Sequence, residues 1–457
     1  SNETGTINSG GDLTTSVTAI YANSANNITV LNSGAITTSG ANGYGIYSND
    51  NRGTLLTISN TSNGTISTSG SSSHGILSSS NSDTSTLTNS GTITTSGEES
   101  FGIQEWLNRG TNTLTNSGTI TTSGSTSWGI YSGYNIGTST ITNSGTITTS
   151  GQYSHGMYSY NNRGTLTISN TSTISTSGAN GYGIYSNDNS GTLTISNTSN
   201  GTISTSGSSS HGIFLYANTG TATITNSGTI KVTGSSAVGV TLDGGVTLNN
   251  SGTISATGSA TQAIDSTGSG NDTLNLLAGS KITGSIDLGG GTDTVNITGV
   301  NGCATAACMS TSLTFANTEN INLSGATGAV SNGVAATVDP TGSSVLGVSL
   351  STMTSAVHDV VSQRMARTRT LGTPAAGRGV SSWGQTIGAY RSRGTEGSAM
   401  GHNHSYVGFT GGMEKKVKDG RFGVIAGYAS SSVSTKKMSN STNTNSFFGG
   451  IYGDVHL

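Results

Sequence analysis

Proline is almost missing, with 2 residues in 457, and charged side chains make up only 8% of the chain. Aromatics account for 5%, and there are two cysteines, Cys303 and Cys308. These shortages exclude several classes. The 17 Lys and Arg against 20 Asp and Glu leave a net charge of −3, without the basic stripe that nucleic acid requires, so no nucleic-acid partner is expected. Two cysteines cannot brace a disulfide scaffold. No window before residue 340 carries the i, i+3, i+4, i+7 spacing of an amphipathic helix. The chain opens at Ser1 without methionine, basic n-region or apolar h-region, so any signal peptide or distal head is expected upstream.

What is abundant is Gly (70 residues), Ser, Thr and Asn, a composition that by itself suggests a disordered linker. Periodicity contradicts that reading. A sentence of about 27 residues, clearest over 141–168, recurs up to about residue 265. The isoleucine of its Gly-Thr-Ile falls at Ile66, Ile93, Ile120, Ile147, Ile174, Ile203, Ile230 and Ile254, with a looser copy at Ile36, and successive gaps from Ile36 are 30, 27, 27, 27, 27, 29, 27 and 24. A second hydrophobe follows ten residues later each time, from Ile46 to Ile264. Disordered low-complexity chain has no reason to keep hydrophobes in step.

Each repeat holds three short alternating runs of β-branched residues, punctuated by Asn-Ser-Gly or Thr-Ser-Gly. Three strands per lap predict one coil of a right-handed parallel β-helix. A coil has too few large hydrophobes to stand alone, so coils must stack about 4.7–4.9 Å apart. About ten coils are legible. The expected fold is therefore all-β: a parallel β-helix over 1–340, with irregular coils after 265.

Several positions are candidates for chemistry. Residues beside the Gly-Ile pair (Tyr44, His74, Phe101, Trp128, His155, Tyr182, His211) and just after it (Tyr47, Tyr131, Tyr158, Tyr185, Phe214) should form two ladders. Tyr47, Tyr131, Tyr158 and Tyr185 form a candidate ligand-facing strip, because aromatic rings either stack with one another or bind sugar. The three histidines sit on different coils, with no carboxylate at a fixed offset to make a metal site. Asn89, Asn116, Asn143, Asn170, Asn197, Asn226 and Asn250 read as a turn-side amide ladder. Gly268–Leu274 and Gly289–Val295 match G-x-G-x-D-x-U, the core of a calcium-binding nonapeptide. Their aspartates, Asp272 and Asp293, lie 21 residues apart rather than nine, so they read as turns and leave calcium binding open. Cys303 and Cys308 form a candidate local disulfide in an oxidising compartment. No cofactor is expected.

Character changes near residue 340. Lys and Arg number 5 before residue 345 and 12 after it, while Asp and Glu number 15 and 5, giving −10 and +7. Residues 345–369 carry the one helical pattern, Leu346, Leu350, Met353, Val357, Val360 and Val361, with Arg364, Arg367 and Arg369 toward its C-terminal end. It lies in a linker spanning 341–379. Four longer alternating segments occupy 380–457, with Trp383, Phe409, Tyr428 and Phe448 as their aromatic markers. Short and long connections alternate between them, the signature of outer-membrane strands.

This order, with Ser-Ser-Trp383-Gly-Gln385 and Gly423-Val-Ile-Ala-Gly-Tyr428 opening the barrel segments, resembles the classical autotransporters of type V secretion. The resemblance implies a Gram-negative outer-membrane barrel, a helix threading it, and a passenger displayed outside the cell. It implies membrane lipid and the barrel-assembly machinery as partners. Some members cleave themselves at an Asn-Asn pair in the helix, but 345–369 contains no Asn. The family barrel has about twelve strands, so four imply a truncated barrel and a fragment.

Three functions compete for the passenger. An adhesin would engage a surface glycan or protein, or associate with itself. A stalk could instead carry a protease-, esterase- or lyase-type head upstream, and a plain spacer is the third. No Gly-x-Ser-x-Gly elbow, and no acidic partner set for Arg52, Arg109 and Arg163 in their shared Asn-Arg-Gly setting, supports an enzyme in the coils. The expectation is a non-enzymatic adhesin.

Overall fold

The computed structural model describes residues 2–23, 27–50, 55–299, 313–324, 327–338, 341–370, 379–394, 401–417, 420–436 and 441–455. Two compact units divide near residue 337.

The first unit is a three-sided parallel solenoid. Its sheets hold 13, 11 and 14 strands, and consecutive strands within a sheet come from consecutive coils, except that the last sheet ends in Val334–Val338, which pairs antiparallel with Leu313–Ala316, and Thr327–Ser331. Eleven coils place a strand in all three sheets, one more than the repeat analysis counted. One lap runs Thr138–Asn143, Thr146–Thr149, Met157–Tyr160. Pairing is in register: Ile141 faces Leu114 and Ile168, Ile147 faces Ile120 and Ile174, and Met157 faces Ile130 and Ile184. Like residues therefore stack on like, and the alternation of each strand sends every second side chain inward. Ile36 through Ile254 form one fully buried column.

The turns between strands admit little variation. A Cβ at Gly129 would lie 2.4 Å from Ile147 Cγ2 and 2.6 Å from the carbonyl oxygen of Gly156, so glycine is required for the third strand to approach the second. Asparagine closes the corner after the first strand. Asn32, Asn60, Asn89, Asn116, Asn143, Asn170, Asn197, Asn226 and Asn250 are fully buried. Each Nδ2 donates to Oδ1 of the next at 2.7–2.9 Å. The expected amide ladder at the turns is present, and it is buried. A second ladder, Asn108, Asn135, Asn162, Asn189 and Asn218, runs at the corner before the first strand, at 2.7–2.9 Å per step.

The second unit comprises the helix Thr341–Thr370 and an antiparallel four-stranded sheet, Val380–Arg393, His402–Val417, Gly420–Thr435 and Ser441–Val455. Met353 and Val360 on the helix pack on Ile387, Tyr406 and Ala429, with Trp383 and Phe448 beside them. The opposite face exposes Val407, Phe409, Met413, Phe422, Val424 and Ile451. Trp383 and Phe448 thus face the helix, while Phe409 and Tyr428 face outward. In the first strand the apolar row (Trp383, Ile387) turns toward the helix, the reverse of a simple lipid-facing alternation. The helix needs an apolar cover, and Phe409 lies over Gly384 on the outer face, where a Cβ would come 2.7 Å from its ring. Glu414 ties the unit together. Its Oε1 accepts from Arg364 of the helix at 3.0 Å and Arg421 at 3.3 Å, and its Oε2 accepts from the Tyr452 hydroxyl at 3.0 Å.

The column logic sets an expected asymmetry between neighbouring positions. Ile147→Ala should destabilise the solenoid by about 2–5 kcal/mol. Thr148→Lys, one residue on but pointing outward, should cost less than about 0.5 kcal/mol. Urea unfolding followed by tryptophan fluorescence distinguishes them.

Candidate functional site

The aromatic positions form two rows on one corner. In the row just before the Gly-Ile pair, ring centroids step from His74 to Phe101 at 4.5 Å, to Trp128 at 4.3 Å, to His155 at 6.0 Å and to Tyr182 at 4.7 Å, all within 10° of parallel. In the row just after it, Tyr131 stacks on Tyr158 at 5.2 Å, Tyr158 on Tyr185 at 4.8 Å, and Tyr185 on Phe214 at 5.2 Å. The two rows meet edge to face, as in Trp128–Tyr131 at 4.7 Å. Such offset and edge contacts stabilise beyond the area they bury. They also cover the flat faces that a sugar would need. Tyr131 is 5% exposed; Tyr158 and Tyr185 are half-buried; Tyr47 is tilted against Tyr21 and Tyr44 at 5.1 Å. The candidate ligand strip is thus a stacked seam that presents ring edges outward.

The histidines belong to the same seam. Nδ1 of His74, His155 and His211 accepts the backbone N–H of Phe101, Tyr182 and Val238 on the next coil, at 3.0, 3.1 and 3.0 Å. Accepting there needs the neutral ring with its proton on Nε2. Burial opposes charging, lowering His74 and His155 to about 3 and His211 to about 4. Arg109 and Arg163 lie two coils apart, with exposed Ile136 between them, and Arg163 Nε donates to Asn161 Oδ1 at 2.8 Å. Arg52, Cys303 and Cys308 lie outside the described residues.

One buried group was not singled out in the sequence. Glu105 is fully buried where neighbouring coils carry Ser78 and Ser132. Ser132 donates to its Oε2 at 2.8 Å, whereas Oε1 has no protein partner. Across the corner, Ser85, Asn112 and Ser139 replace the Leu56 and Leu166 of flanking coils, so three coils share a polar interior. Burial pushes Glu105 up to about 8, with the Ser132 hydrogen bond opposing.

The calcium-like turns are stacked. Thr273 pairs with Thr294, so 21 residues make one full coil here and the two motifs sit on consecutive coils. The separation that argued against a shared site in the sequence is the coil length at this end of the solenoid. Asp272 and Asp293 are 1% and 0% exposed. Burial raises the pKa of both, and nearby carboxylates add to it: Asp293 for Asp272, and Glu319 for Asp293.

Glu105 fixes a pH dependence. The folded chain holds its proton up to about 8, while the unfolded chain releases it near 4.5. That contribution is complete below pH 4.5 and declines through pH 8. The three histidines have lowered pKa values, so their contribution is lost on acidification through pH 6.5 and is complete only about one unit above it. Between pH 6.5 and 8 Glu105 therefore lowers stability while the histidines still add about 1 kcal/mol together. The stability of the native chain relative to Glu105→Gln should fall by about 2 kcal/mol across that interval. Denaturant titrations read by Trp106 and Trp128 test it.

Comparison with known families agrees with both units. Residues 1–169 match the family described as the BigA third pectate lyase-like domain, and residues 382–456 match the autotransporter beta-domain. No curated protein and no solved structure matches the chain. Among the described residues no helix is long and apolar enough to cross a membrane, which leaves strand crossing untouched. The antiparallel sheet with an outward apolar face belongs to an outer-membrane barrel domain, and the solenoid is what that domain exports to the surface of a Gram-negative cell. The chain is an autotransporter with a β-helix passenger.

Proposed function

We propose that the passenger is a non-enzymatic adhesin that engages a protein or glycan of a neighbouring or host cell, or another copy of itself, through its flat hydroxyl faces. The supporting observation is an unbroken rank on the first sheet: Thr4, Thr29, Thr57, Thr86, Thr113, Thr140, Thr167, Thr194, Thr223, Thr247, Thr273 and Thr294 pair in register, one per coil. All twelve are at least partly exposed. A parallel rank two residues earlier runs Thr84, Thr111, Thr138, Thr165, Thr192, Thr221. Coil rise and strand repeat space these hydroxyls at about 4.8 by 6.7 Å. A rigid, uncharged, evenly spaced surface suits contact with another extended polymer, where many weak hydrogen bonds add without an ordering cost.

The buried titratable groups favour a non-enzymatic reading. The histidines are committed to backbone N–H groups and ring stacking, and Glu105 is sealed from solvent. Membrane lipid and the barrel-assembly machinery are the partners of the β-domain in this reading. Replacing Thr113, Thr140 and Thr167 together by Lys should abolish adhesion or cell–cell clumping of displaying cells, with the passenger still at the surface. Tyr131, Tyr158 and Tyr185 changed to Phe should leave adhesion intact. Adhesion lost only with the tyrosine set would move the site to the seam; adhesion unaffected by either set would support a stalk carrying an upstream enzymatic head.

A further inference from the structure

Near its C-terminal end the solenoid changes what fills one core column. In the first inward row of the first sheet, Leu166, Leu193, Ala222 and Val246 give way to the buried Asp272 and Asp293, one per coil, with the exposed Glu319 at the same register on the coil after. Each acid caps the coil before it. Asp272 Oδ1 accepts from Val246 N, Asp293 Oδ1 from Asp272 N and Glu319 Oε2 from Asp293 N, all at 2.7 Å. That accounts for one oxygen of each buried aspartate. The other, Oδ2 of Asp272 and of Asp293, is buried without a partner. Ser266, 8% exposed, stands beside Asp272; its hydroxyl makes no well-formed hydrogen bond yet lies close enough to favour the ionised Asp272 carboxyl, so it points at the same spot.

A backbone cap needs one oxygen and no charge, so asparagine would serve, as Asn271 Oδ1 does for Thr292 N. Two buried carboxylates one coil apart repel, and their free oxygens forgo solvation. The turns beside them are built for close backbone approach. Gly289 and Gly291 have φ of +73° and +131°, and a Cβ at Gly291 would fall 2.5 Å from the carbonyl oxygen of Gly270. Thr292 N donates to Asn271 Oδ1 at 2.8 Å, tying the two turns together.

We propose that Asp272 and Asp293 share a calcium ion between consecutive coils, with Ser266 and the carbonyls of the stacked turns 267–271 and 289–292 completing an oxygen shell. Among the described residues no three or more His, Cys, Asp and Glu side chains converge on a metal-sized site, so the rest of the shell is neutral oxygen. Calcium takes that mixture of one-oxygen carboxylates, carbonyls and hydroxyl in irregular geometry, whereas magnesium demands a near-ideal octahedron and keeps its waters. The ion would lock the last regular coils of the solenoid in the calcium-rich medium outside the cell.

The test uses the full chain stripped with EDTA and titrated with calcium chloride, read by equilibrium dialysis and thermal unfolding. Native chain should bind one calcium and unfold at a higher temperature with it. Asp272→Asn and Asp293→Asn keep the backbone cap and should lose the binding, and Ser266→Ala should weaken it about tenfold. In EDTA each asparagine variant should unfold above the native chain, and in calcium below it. A purely structural role for the aspartates would not produce that crossing. No calcium-dependent shift in the native chain, or a shift that survives Asp293→Asn, overturns the proposal.

Discussion

In-register hydrogen bonding between successive coils is the constraint on which the passenger rests. Each strand is too short and each coil too poor in hydrophobes to fold alone, and the backbone is satisfied only by the coil on either side. Strict register converts a sequence repeat into columns. Once like stacks on like at a fixed rise, the side chains that gain are those that pair with themselves. Isoleucine interlocks, an asparagine amide donates to the next asparagine, and aromatic rings lie face to face. The composition follows from this: threonine outside because it is β-branched and polar, glycine where the strands crowd, and no proline to remove a ladder donor.

The interior departs from apolar packing in two places, with different consequences. Around Glu105 the polar side chains are neutral, and the carboxyl stays protonated at neutral pH because no cation faces it. Around Asp272 and Asp293 two acids stand one above the other with free oxygens. A single buried carboxyl resolves its desolvation by holding a proton. A stacked pair beside glycine turns can resolve it with an ion.

The β-domain works on another principle. Its outer face is apolar because the surrounding solvent is lipid. Its inner face is mixed because it meets a helix, and the Glu414 cluster joins Arg364 of that helix to three strands. Charge there is paired inside the unit, whereas the passenger keeps charge scarce along its length.

The repeat by itself determined most of the passenger. Period, three alternating runs and conserved offsets between isoleucines establish coil, column and register, since these are local properties of a chain that repeats. The alternating segments after residue 380 determined the strands of the β-domain for the same reason. Tertiary structure decided what local pattern cannot carry, because it depends on what the next coil or the facing element places opposite. It covered the faces of Tyr131, Tyr158 and Tyr185 with neighbouring rings. It added a second asparagine ladder, beginning at Asn108, to the one read at the turns. It sealed Glu105, whose strand, Ile103-Gln-Glu-Trp106, reads like any other alternating run. It turned Trp383 toward the helix. It also brought Asp272 over Asp293, because the coil had shortened to 21 residues at that point, so a spacing that looked wrong in sequence became one turn of the solenoid.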